Sequence, residues 1–210
     1  MLPGRVRRLP VGIVLALLVL GACTTPRAPA PSPEREASDV AAPQPPSVDA
    51  PSLAKQIHAR VNAARTEQGR APLDWSVEYQ RLAHTHSTAM ADADFFDHVD
   101  PSGRDVNDRA DALGLSCRST TDGDTSARGF GENLYMATRY HKRRVQKRPD
   151  GTVVHRAYDW KTPEAMAREV VQGWLNSPGH RENLLRATYG TESIGVALRD
   201  TMYYVTQVFC

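Results

Sequence analysis

Three short stretches carry side chains able to hold a metal or move a proton: Phe95-Phe96-Asp97-His98, Gly131-Glu132-Asn133-Leu134 and Trp174-Leu175-Asn176-Ser177-Pro178-Gly179-His180. A fold that brought them together would build a His/Glu/His site from His98, Glu132 and His180. Imidazole and carboxylate are compatible zinc ligands, and a set of two or three with open positions holds the ion more weakly than a closed four-ligand site. Ser177 followed by Pro178 reads as a helix start, serine at the cap and proline at the first position. His180 then falls in the first turn, where the positive helix end disfavours imidazolium. A neutral ring is what a divalent metal requires. The alternative is structural: the two histidines and Glu132 tie loops to the core, because buried polar groups need partners in any case. Asn133 and Asn183 suit that loop-tying role better than ligation.

The elements that must position these residues follow from periodicity. Leu53, Ile57, Val61 and Ala64 recur at helical spacing and Gly69 supplies a stop, which predicts a helix over residues 52–68. A second helix is expected to start at Pro72-Leu73-Asp74-Trp75 and run to about residue 94, with Tyr79, Leu82, Ala83, His86 and Met90 on one stripe. A short helix follows over 106–113. Strand-compatible runs meeting at Pro149-Asp150-Gly151 predict a hairpin over 144–158. Thr162 then caps a third long helix opened by Pro163 and buried through Met166, Val170 and Trp174. Strands over 194–198 and 202–209 close the chain. Helices flanking an antiparallel sheet give an α+β fold, a three-layer α-β-α sandwich.

With the closing Tyr203-Tyr204-Val205-Thr206-Gln207-Val208-Phe209, the three stretches resemble the ordered signatures of the CAP superfamily, bacterial branch, the domain of cysteine-rich secretory and plant pathogenesis-related proteins. The resemblance runs over residues 53–210 and implies the same sandwich around a central antiparallel sheet. It places His98, Glu132 and His180 at three of the four residues of the family's cleft. The fourth, a glutamate three positions after the helix tryptophan, is Ser177 here. The resemblance thus implies a cleft, supported by Asn133 and Ser177, that binds Zn2+ or a small lipid or cell-wall ligand rather than turning over a substrate. The competing class is a zinc-dependent hydrolase or peptidase with zinc on His98 and His180 and Glu132 as general base. A basic insertion over about 139–160, where the family has a short connection, is this protein's own elaboration.

The first 22 residues read as a leader: Arg5, Arg7 and Arg8, an apolar run from Val11 to Leu20, then Leu20-Gly21-Ala22-Cys23. The run is too short to span a bilayer, and small residues before a cysteine resemble a lipobox, so Cys23 is expected to carry lipid after cleavage. The alternative is an ordinary secretory signal in which Cys23 is incidental. Thr24 lacks inner-membrane-retention chemistry, which favours a bacterial outer-membrane anchor facing the periplasm or the cell surface. Residues 23–51 are rich in Pro and Ala and read as a tether, leaving 52–210 as the domain. In that oxidising compartment Cys117 and Cys210 remain as an even pair, read as a disulfide with two separate thiols as the alternative.

The chain carries 26 Lys/Arg against 24 Asp/Glu, and leader cleavage removes three arginines, so the mature protein is near neutral. Its charge is uneven. Residues 136–161 hold Arg139, Lys142, Arg143, Arg144, Lys147, Arg148, Arg156 and Lys161 against Asp150 and Asp159. The patch Arg143, Arg144, Lys147 and Arg148 is a candidate contact for an anionic envelope glycan or lipid, and no nucleic acid is expected. His84 and His86 are two apart on a helix and cannot chelate together. His86 suits the core, whereas His58, His141 and His155 read as surface positions. The run Asp92, Asp94, Asp97, Asp100, Asp105, Asp108 and Asp111 lacks calcium-loop spacing and reads as a solvated face. No HExxH, GxSxG, phosphate-cradling GxxxxGK or CxxC pattern is present.

Overall fold

The computed structural model describes residues 41–120 and 126–210. The leader, Cys23 and most of the expected tether lie outside the described residues. Residues 38–210 form one compact unit with its own cores and a disulfide, the anatomy of a domain that folds independently.

The elements run α1 (Ala50–Glu67), β1 (Asp74–Trp75), α2 (Gln80–Ala93), α3 (Val106–Ala112), β2 (Arg118–Thr120) and β3 (Ser126–Arg128). There follow β4 (Gly131–Thr138), β5 (Tyr140–Lys147), β6 (Val153–Trp160), α4 (Pro163–Asn176), α5 (Pro178–Leu185), β7 (Thr191–Arg199) and β8 (Met202–Phe209). The main sheet has order β1-β7-β8-β4. It is mixed rather than wholly antiparallel, because β1 runs parallel to β7. That strand occupies the Asp74-Trp75 stretch where a helix start was expected. Asp74 donates its N–H to Gly190 O and Ser76 to Glu192 O, so the sheet edge captures the backbone and α2 begins only at Gln80.

Alternation along β7 and β8 divides the interior into two faces. Ile194, Val196, Tyr203, Val205 and Phe209 pack with Leu53, Ile57 and Val61 of α1 and Met166, Val170 and Trp174 of α4. Val208 on the opposite face packs with Leu82 and Ala83 of α2, Val106 and Ala110 of α3 and Phe130. Helices thus cover both faces, giving the three-layer α+β sandwich. Gly195 lets α2 lie directly on β7, since a Cβ there would collide with the Ala83 carbonyl group.

β4 pairs only with β8, and side-chain donors seal its outer edge: Trp174 Nε1 donates to Leu134 O at 2.9 Å and Asn183 Nδ2 to Glu132 O at 3.3 Å. These bonds dock α4 and α5 on the strand that carries Glu132. Buried Arg65 holds α5 from the other end, donating to Ala71 O at 2.8 Å and Leu184 O at 2.7 Å. Cys117 and Cys210 are bridged, fastening the chain end to the loop after α3. The hairpin extends beyond 144–158 to fill the basic insertion of about 139–160 and forms its own two-stranded ribbon, β5 with β6. Among the described residues no helix is long and apolar enough to cross a membrane.

Candidate functional site

Glu132 is the fixed point of the site. It lies on β4, its side chain 3% exposed, on the sheet face that meets α2 and α3. Its two oxygens are separately engaged: His98 Nδ1 meets Oε1 at 2.8 Å and Arg109 Nη2 donates to Oε2 at 2.5 Å. Arg109, 7% exposed, also donates through Nη1 to His98 O at 2.7 Å and Arg104 O at 3.0 Å. One guanidinium therefore positions both the carboxylate and the backbone of the loop that carries the histidine.

The loop is further clamped by His86, whose Nε2 meets Asp97 O at 3.0 Å. Asp100, expected on a solvated face, is buried and accepts from Ser102 N, Arg104 N and Arg104 Nε. Asp105 and Asp108 form a reciprocal capping box on α3. Asp100 thus stiffens the loop from inside, while the other six aspartates of the run are exposed, as expected of a solvated face. Of the two phenylalanines before His98, Phe95 packs inward against the Met90 cluster, while Phe96 is 45% exposed beside the site.

The His98 ring is about half out of the protein, with 52% of its side chain exposed. Its bond to Glu132 raises its pKa above the ordinary histidine value, overcoming the opposing effect of burial. His180 moves the other way, its pKa lowered first by burial and then by the charge of His98. The two rings therefore share one electrostatic neighbourhood. His180 is in the first turn of α5 as expected, but Ser177 makes no side-chain cap bond, and the neutrality of His180 follows from burial and His98.

Asn133, fully buried, fills its loop-tying role by donating from Nδ2 to His180 O at 3.0 Å and Gln207 Oε1 at 3.1 Å, while accepting from Asn183 Nδ2 at 3.1 Å. The chain of polar groups continues through the interior. Gln207 Nε2 donates to Glu192 Oε2, and Glu192 Oε1 meets His58 Nδ1 at 2.6 Å. His58 is thus no surface residue: it forms a second histidine–carboxylate pair, stands edge-on to Trp75 and lies 3.3 Å from Asn62 Nδ2. His141 and His155 are exposed, and His84 is exposed on α2.

Sequence reasoning missed Arg109, Gln207 and Glu192. Arg109 left a trace, since it shares the helical stripe of Val106, Ala110 and Leu113, where a charge must be paired. Gln207 sits between inward-facing apolar residues of β8, a comparable anomaly.

Among the described residues no three His, Cys, Asp or Glu side chains are gathered as a ready metal cluster. Glu132 fits behind His98, because a ring donating Nδ1–H to a carboxylate presents the lone pair of Nε2. Arg143, Arg144, Lys147 and Arg148 lie on and just beyond β5, outside the bonds that build this site.

A three-layer α+β sandwich with a histidine–glutamate pair on its sheet edge defines the class of protein, and the family model "Cysteine-rich secretory protein family", CAP, matches residues 58–209. The chain belongs to that family. It is 28% identical over 155 residues to the uncharacterized protein YkwD of Bacillus subtilis, covering 74% of this chain and 46% of YkwD. It is 29% identical over 155 residues to the uncharacterized membrane protein YlbC of the same organism, covering 74% of this chain and 33% of YlbC. This chain thus spans less than half the length of either relative. An extracellular SCP-domain protein from Bacillus anthracis superposes with a TM-score of 0.48 at 24% identity, over 76% of this chain and 40% of that one.

Proposed function

We propose that this is a cell-envelope CAP-domain protein whose cleft binds a divalent metal, zinc by donor chemistry, or a small lipid or cell-wall ligand, through His98 and His180. The observation that carries the reading is the 2.8 Å bond from His98 Nδ1 to a carboxylate that Arg109 already holds in place. A buried, doubly bonded Glu132 acts as the orienting partner behind the imidazole, the usual arrangement around a ligating histidine. His180, held neutral by burial, supplies the second lone pair. Two protein ligands with the remaining positions open imply weak, exchangeable binding.

The hydrolase reading has less support. Each oxygen of Glu132 already accepts one bond, from His98 and from Arg109, so taking a proton from substrate would compete with a charge pair that favours the ionised carboxylate. Envelope placement draws on the leader and Cys23 in the sequence and on the descriptions of relatives as membrane or extracellular proteins. Lipid attachment is tested by metabolic acyl labelling, which should disappear in Cys23→Ser.

Calorimetry with zinc on residues 38–210 tests the cleft. Heat is expected from the wild type and should vanish in His98→Ala/His180→Ala. No heat from the wild type, or equal heat from the double variant, rejects the metal reading. Turnover of peptide, ester or peptidoglycan substrates that is lost in Glu132→Gln would favour the hydrolase instead.

A further inference from the structure

The hairpin β5–β6 has features that the cleft does not use. At its base the cations are consumed by the fold: Lys161 Nζ pairs with Glu169 at 2.5 Å, and Arg139 donates to Pro46 O and Asp200 O. Along the arm this changes. Lys142, Arg143, Arg144 and Lys147 are all exposed, and none has a side-chain hydrogen bond or ion pair among the described residues. Lys142 faces Asp159 across the ribbon without pairing to it.

Register places Arg143 opposite Tyr158 and Tyr140 opposite Trp160, so these four share one face, while Lys142 and Arg144 occupy the other. On the first face Tyr158 and Trp160 stack at 4.6 Å between centroids, and Tyr140 meets Tyr158 edge-on at 5.1 Å. A lone two-stranded ribbon is marginally stable in water, and this aromatic cluster together with the basal bonds holds it. Exposed like charges on neighbouring positions repel, so Lys142, Arg143, Arg144 and Lys147, unpaired among the described residues, cost the ribbon stability.

We propose that this arm is a docking surface for an anionic phospholipid bilayer. Unpaired cations on the arm beside half-buried Tyr and Trp rings match the headgroup layer, which attracts Lys and Arg and accommodates amphipathic rings. The choice of a bilayer as the polyanion rests on the envelope placement proposed above, since a tethered domain meets the membrane first. The arm does not depend on metal or ligand in the cleft.

The test uses residues 38–210 in co-sedimentation with vesicles of phosphatidylcholine alone and of phosphatidylcholine mixed with phosphatidylglycerol. Binding is expected only to the anionic vesicles and should weaken steeply with salt. Each cation near such a surface is worth about fivefold in partitioning, so Lys142→Gln/Arg143→Gln/Arg144→Gln/Lys147→Gln should bind roughly several hundredfold more weakly. Arg70→Gln/Arg81→Gln/Arg168→Gln/Arg181→Gln removes the same charge elsewhere on the exposed surface and should bind far better than the arm variant. Arg143→Lys/Arg144→Lys, which keeps charge, should retain binding and exposes any loss caused by misfolding. His98→Ala/His180→Ala should bind vesicles like the wild type, separating a failure here from a failure of the cleft reading. No binding of the wild type, equal losses in the two quadruple variants, or arm-dependent capture of soluble polyphosphate without vesicle binding would overturn the proposal.

Discussion

Replacing Glu132 by Gln removes one charge from a buried pair while keeping the side chain's shape. Glu132 and Arg109 are 3% and 7% exposed, so the Arg109 guanidinium is left without its counter-ion in a dry place. Breaking such a pair costs about 3–5 kcal/mol; glutamine retains an oxygen that can accept from Arg109, which puts the expected loss nearer 2–3 kcal/mol. For a domain of this size that is a fall of roughly 5–10 °C in Tm. The second readout is the His98 titration, followed through its ring proton by NMR. In the wild type the Glu132 bond raises the His98 pKa. The protonated ring therefore adds stability that is complete below the unfolded value of about 6.5 and is lost as pH rises through the folded value. Half-exposure of the ring limits this contribution to at most about 1 kcal/mol. In Glu132→Gln the His98 pKa should drop and that alkaline loss of stability should flatten. A Tm within about 2 °C of wild type together with an unchanged His98 titration would refute the shared carboxylate and the orienting role built on it.

Three further outcomes follow from the packing. Asn133→Leu leaves His180 O and Gln207 Oε1 without their buried donor and should cost about 2–4 kcal/mol in chemical denaturation, with zinc heat reduced because α5 loses its tie to β4. Gly195→Ala drives a methyl into the α2 backbone and should destabilise by about 3 kcal/mol or more, measured by the urea midpoint. Reduction, or Cys117→Ser/Cys210→Ser, opens a crosslink of 93 residues in sequence separation and should lower stability by about 4 kcal/mol, read as a Tm difference with and without reductant.

Periodicity and end signals determined much of this protein before any coordinates. The α1 stripe, the Thr162–Pro163 start of α4 and the two closing strands all follow from local chemistry repeated at fixed spacing. Cysteine arithmetic in an oxidising compartment gave the Cys117–Cys210 bridge. Tertiary structure alone decided what lies across the sheet. Asp74-Trp75 became a strand because β7 offered a parallel edge, a partner more than a hundred residues away. His58 turned inward because Glu192, buried on β7, meets its ring across the packed elements. Both oxygens of Glu132 became engaged because Arg109 from α3 reached the second one. A local pattern records which face of an element is apolar. The partner of a buried charge is fixed only when distant elements pack.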